Sequence, residues 1–96
     1  MSYSNKISEY NFIKQIKLLP FVDKILLFGS RARGDNEEKS DIDIAVLLND
    51  EDDLKWGIVN AIVECRDTLL KVDLIRFNTL KDGAFKDRIL KEQIEL

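Results

Sequence analysis

Four apolar residues in a row, Ile25 to Phe28, stop abruptly at Gly29. A short continuous run closed by glycine predicts a buried strand that turns sharply at its end. In the next run, Asp41 to Leu48, residues 42, 44, 46 and 48 are all apolar, while the other face carries Asp41 and Asp43 before turning apolar at Ala45 and Leu47. Side chains alternate across a strand, so both faces are expected to be covered by packed elements. The two carboxylates then stand at the mouth of a buried surface, about 6.6 Å apart along the backbone. A third run, Val72 to Phe77, repeats the arrangement, with Asp73 sharing a face with Ile75 and Phe77.

Helical spacing separates these runs. Residues Asn5 to Leu19 predict a first helix with Phe12, Ile16 and Leu19 on one face and Ile13 beside them, ended by Pro20. Leu54 to Lys71 predicts a crossover helix whose apolar stripe is Ile58, Ile62, Cys65 and Leu69, widened by Val59, Val63 and Leu70. Lys55, Asn60, Glu64, Asp67 and Lys71 face away from that stripe. A last helix is expected to begin near Thr79, where Thr79 to Asp82 approximates a capping box, and to pack Phe85, Ile89 and Leu90 on the sheet. Its charges, Arg88 and Glu92 among them, read as a solvated mixed face.

Chain length constrains how these elements meet. Only ten residues separate Ser30 from Asp41, which suits an antiparallel pair joined by a short helical excursion. For Asp73 to converge with Asp41 and Asp43, the second and third strands must run parallel, and the crossover helix supplies the connection such a pair needs. The expectation is an α/β (α+β) fold, a small mixed sheet with helices packed on it in the order α-β-α-β-α-β-α, with residues 1–96 forming one domain.

The chemistry predicted at this junction is anionic and metal-dependent. Gly29 lets a ligand approach the backbone, and Ser30 begins a short helical turn to Arg33 whose free N–H groups suit phosphate. Three neighbouring carboxylates repel one another, and a hard divalent cation with oxygen ligands relieves that repulsion. Arg33 is a candidate phosphate contact through its guanidinium fork, with an ion pair to Asp35 or Glu37 as the competing role. Ser40 either hydrogen-bonds a ligand or caps the start of the second strand. Arg31 has no role assigned. Residues 34–39 read as a polar surface loop beside the site. The acids of residues 50–53 read as helix-capping groups.

Composition narrows the function. With 45% hydrophobic and 34% charged residues, 96 residues suffice for a soluble core but leave little for a separate acceptor-binding domain. The second substrate is therefore expected on another protein, with a second copy of this chain as a further option. A net charge of −3 and a pI near 4.9 argue against direct nucleic-acid binding. With no histidine, histidine metal sites and Ser-His-Asp chemistry are excluded. No apolar run is long enough to span a membrane and no apolar leader precedes the domain, so a cytoplasmic protein is expected. The single cysteine, Cys65, is expected in the core.

The segments Gly29-Ser30-Arg31-Ala32-Arg33-Gly34, Ser40-Asp41-Ile42-Asp43-Ile44-Ala45-Val46 and Val72-Asp73-Leu74-Ile75 together resemble the minimal nucleotidyltransferases of the DNA polymerase beta-like superfamily. The resemblance spans nearly the whole chain. It implies two magnesium ions, with manganese as the alternative, held by Asp41, Asp43 and Asp73, and transfer of a nucleoside monophosphate from ATP or another nucleoside triphosphate. Gly29 and Ser30 would hold the departing phosphates, and Arg33 and Ser40 are further nucleotide-binding candidates. It also implies an antitoxin that attaches AMP to a tyrosine of a HEPN-domain toxin. Two other expectations stand beside this one: a non-catalytic module that masks its partner, and nucleotidylation of a small molecule such as an aminoglycoside.

Overall fold

The computed structural model describes residues 7–96. Helix α1 (Asn11–Leu18) leads into strand β1 (Val22–Phe28), which ends at a single turn of helix, α2 (Ser30–Arg33). Strand β2 (Ile42–Leu48), helix α3 (Asp53–Glu64) and strand β3 (Val72–Arg76) follow. A 3₁₀ turn (Phe77–Thr79), helix α4 (Ala84–Glu92) and the short strand β4 (Ile94–Glu95) complete the chain.

The sheet order is β3-β2-β1-β4. Strands β1 and β2 are antiparallel, with Phe28 opposite Asp43, and β2 and β3 are parallel, with Asp43 opposite Asp73. Strand β2 thus lies in the interior of the sheet, as its two apolar faces require. Its first face, Ile42, Ile44, Val46 and Leu48, packs with Ile25 and Leu27 against Phe12, Ile13 and Ile16 of α1 and Val59 and Val63 of α3. On the opposite face a smaller cluster joins Leu26, Phe28 and Ala45 to Ile89 of α4. Burial of this apolar surface, at roughly 25 cal/mol per Å², is the main force holding the layers together.

Several element boundaries differ from the sequence reading, each for a local reason. Helix α1 begins at Asn11, where the Asp67 carboxylate accepts the backbone N–H groups of Asn11 and Phe12 at 3.1 and 3.2 Å. Its expected beginning at Asn5 lies outside the described residues. Asp67 is available for this role because α3 ends at Glu64 rather than near Lys71. Arg66 closes that end by donating to the carbonyls of Val63 and Leu70. Beyond the helix Cys65 is exposed and Leu69 fully so, which corrects their placement in the core. The buried stripe of α3 is Val59 and Val63, while Ile58 is a little under half exposed.

The last helix begins after Gly83, not at Thr79, since Phe77–Thr79 forms the 3₁₀ turn. That turn projects Asn78, whose amide pairs with both the N–H and the carbonyl of Leu48 at 2.8 and 2.7 Å and so finishes the edge of β2. Of the three apolar residues expected on the sheet, Ile89 is fully buried, whereas Phe85 and Leu90 are about half exposed. Strand β4, unforeseen from so short an apolar signal, pairs Ile94 with Leu27 and Glu95 with Leu26. Of the acids before α3, Asp52 is the capping group, accepting from the Leu54 N–H at 2.8 Å, while Asp50 pairs with Lys55 and Asp53 with Arg76.

Candidate active site

The parallel pairing of β2 and β3 sets Asp43 and Asp73 side by side at the ends where the strands begin, and their carboxyl groups are within hydrogen-bonding reach. Antiparallel pairing brings the end of β1 to the same place, so Gly29 lies beneath Asp43. Gly29 has φ 75° and ψ −157°, a conformation essentially reserved for glycine. A Cβ at this position would overlap Asp43 Oδ2 and come within 3.1 Å of Cγ. The glycine is thus required twice, by the backbone and by the carboxylate above it.

The electrostatics follow from the crowding. Burial, then the hydrogen bond and charge of Asp73, then the charge of Asp41, push the Asp43 carboxyl up to about 6, with Arg33 opposing them. Asp41 immediately precedes β2 and is partly exposed. Asp73 also lies 3.5 Å from Lys71 Nζ. Among the described residues no three carboxylate or thiolate groups form a ready-made metal cage. The closest association is the Asp43–Asp73 pair, with Asp41 contributing its charge from the flank. The donor chemistry nevertheless suits a hard cation: two adjacent carboxyl groups, one of them costly to ionise, gain most from a divalent ion with oxygen ligands.

These groups open onto a cleft of about 330 Å³ between the sheet and α4. Phe28, Leu74, Ile75, Phe85 and Ile89 form its apolar wall, and Asp43, Asp73, Arg88 and Glu92 its polar rim. Phe85 meets Phe28 edge to face at 6.0 Å. Glu92, with a side chain only 14% exposed, therefore belongs to the cleft and not to a solvated helix face, whereas Arg88, 63% exposed, lines the rim from the solvated face as expected. Only the three-dimensional approach of α4 to β1 makes this visible, because mixed charge along a helix carries no such signal.

The remaining predicted residues occupy distinct positions. Ser30 opens α2, and its carbonyl accepts the N–H groups of Gly34 and Asp35. Arg33 pairs with Asp35 at 3.1 Å and with Glu92 at 3.2 Å. Ser40 does not cap β2. Its hydroxyl accepts the Glu37 N–H at 2.9 Å and closes the loop, while Ile42 N–H goes to Lys71 O. Arg31, unassigned from sequence, is the buried charged residue of this region at 7% exposure. Its guanidinium donates to the Glu38 carbonyl at 3.0 Å and to the Ser40 carbonyl at 2.8 and 3.1 Å, anchoring the loop that delivers Asp41.

Comparison with known proteins agrees with this architecture. The family described as "Polymerase beta, Nucleotidyltransferase" matches residues 6–96. A candidate protein adenylyltransferase of Methanocaldococcus jannaschii, MJ0604, is 34% identical, covering 96% of this chain and 95% of that protein. A second from the same organism, MJ0435, is 35% identical over 90% of this chain and 96% of its own length. Among solved structures, a toxin–antitoxin complex with AMP-PNP superposes with a TM-score of 0.62 at 27% identity, covering 88% of this chain and 69% of that one. A mutant of the toxin–antitoxin pair MntA–HpeT gives 0.60 at 26% identity, covering 97% and 70%. With the carboxylate pair, the glycine turn and the mixed sheet in place, the chain belongs to the polymerase beta nucleotidyltransferase family and is a nucleotidyltransferase.

Proposed function

We propose that the chain transfers AMP from ATP to a tyrosine hydroxyl on a HEPN-type toxin partner and thereby acts as its antitoxin. The observation that carries the reaction is the Asp43–Asp73 carboxyl pair in adjacent parallel strands, set above Gly29 at the mouth of a cleft. The protein-adenylyltransferase names of the relatives and the toxin–antitoxin structural neighbours support the acceptor class.

Asp41, Asp43 and Asp73 are the groups that would hold magnesium. Bound there, divalent ions would offset the charge of the reacting phosphate and of the departing oxygen. The acceptor oxygen attacks the α-phosphorus, the bond to the β-phosphate oxygen breaks, and pyrophosphate leaves. Asp73 takes the hydroxyl proton, there being no histidine to do so. Gly29 and Ser30 hold the β and γ phosphates through backbone N–H groups and the serine hydroxyl, and Arg33 adds a charged contact. The apolar wall of the cleft accepts an aromatic ring and excludes water from the reacting atoms.

The test is to incubate the chain with labelled ATP, magnesium and a candidate HEPN-domain partner, and to repeat this with each partner tyrosine changed to phenylalanine. Label on one tyrosine is the expected result. Tight binding of the partner without label would instead establish a masking module, and label on a small acceptor alone would move the substrate to that class.

A further inference from the structure

We propose that Glu92 is an internal anion seated where the nucleotide phosphates must bind, so that ATP enters only as this carboxylate leaves and the end of α4 loosens. The inference rests on the nucleotidyltransferase reading of the Gly29 turn. Glu92 Oε1 accepts the Gly29 N–H at 2.8 Å from 63 positions away in sequence. Its Oε2 lies 3.2 Å from Arg33 Nη1 and 3.7 Å from Arg88 Nε, and its side chain is 14% exposed. A backbone N–H and a guanidinium converging on one pair of carboxylate oxygens is the same donor set that holds a phosphate. Two anions cannot occupy it together.

The rest of α4 is built to yield. It contributes one fully buried side chain, Ile89, to the layer beneath it, while Phe85 and Leu90 are about half exposed. Beyond the helix, β4 is held to β1 through Leu26 and Leu27, and Leu96 N–H donates to the Ile25 carbonyl at 2.8 Å. The chain is thus fastened after the helix, and the last turn can move without release of the terminus. The Glu92 carboxylate is also well satisfied: burial, the largest influence, pushes its pKa up, yet the Gly29 N–H and Arg33 outweigh it and hold the group below the usual glutamate range. A charge so held is a real competitor, and local opening of a lightly packed helix is how such a competitor is displaced.

Titration calorimetry on the full chain, with pyrophosphate and separately with ATP and magnesium, tests the proposal. Glu92→Gln removes the competing charge and is expected to tighten both ligands by about tenfold, roughly 1.4 kcal/mol. In the parent protein, saturating pyrophosphate is expected to shift the Gly29 amide resonance and to speed hydrogen exchange of the Gln93 amide, which donates to Ile89 O. If Glu92→Gln is folded and binds ATP no better than the parent, Glu92 is a structural tie and the proposal fails while the enzymatic reading stands. If neither protein binds ATP or pyrophosphate, the phosphate reading of the seat fails with it. Should Glu92→Gln not fold, unchanged exchange of the parent's α4 at saturation is the overturning result.

Discussion

The Asp43 carboxylate lies directly over Gly29, in the space a side chain there would need. Strand pairing creates this contact, since Phe28, the residue before the glycine, is the register partner of Asp43. The turn and the acid are therefore one unit.

Gly29→Ala is expected to fail on two counts. The backbone conformation costs about 1–3 kcal/mol for a residue with a side chain, and the new methyl displaces the Asp43 carboxylate. Transfer should fall by on the order of 10²-fold, comparable to losing a preorganised charge stabiliser. Gly34→Ala is the control: its φ is +83° but a Cβ there meets nothing within 4 Å, so it should lose stability and keep its transfer rate. Urea denaturation beside a transfer assay separates the two outcomes.

Asp43→Asn should abolish most transfer and make the metal-free protein more stable at neutral pH. Folding raises this carboxyl from 3.8 to about 6. Between those values the native state keeps a proton that the unfolded chain releases, so stability falls as pH rises through this window and stays low above it. Melting temperatures of parent and variant, measured without metal from pH 3.5 to 7.5, should differ by an amount that grows across that window. Magnesium should narrow the difference at pH 7. A pH-independent difference would show that the carboxyl is not strained by its neighbours.

Arg31→Lys is expected to loosen the loop before Asp41. An ammonium lacks the planar fork that reaches the Glu38 and Ser40 carbonyls together. Each carbonyl left without its partner costs about 1–3 kcal/mol. The prediction is faster proteolysis within residues 34–40 and a reduced transfer rate at saturating ATP. Unaltered cleavage would show that the loop holds itself.

Asp67→Ala should lower the melting temperature and leave transfer intact, because it caps α1 on the far side of the sheet from the cleft. The Asn11 N–H, opposed by burial and helped by the Phe12 N–H, holds this carboxyl below its usual value. Its contribution is present above the unfolded value near 3.8 and is lost as pH falls through the folded one. The parent and the variant should therefore converge in stability under strongly acidic conditions, which thermal melts at pH 2 to 5 will show.

The first three strands were legible because the run Asp41 to Leu48 is apolar on both faces except at two positions, and burial leaves few other ways to read Asp41 and Asp43 in such a run. The parallel direction of β3 was legible for a similar reason: a helix-length segment separates Val72 from Leu48, and chain connectivity permits a crossover there. Helix ends were less so. Asp67 capping α1 and Arg66 closing α3 are contacts that end helices where periodicity alone would continue them.

What the sequence determined by itself was local and pattern-borne: alternation, continuous apolar runs, a glycine where a strand must turn, and acids at strand ends. What only the tertiary structure decided was which charges face one another. Arg31 reaching Ser40, and Glu92 reaching Gly29 across 63 positions, depend on how the loop folds back and how α4 settles on the sheet. The sign and spacing of charged residues along a chain carry no information about such partners, because Coulomb attraction acts through space and is realised only after the apolar faces have set the layers in place.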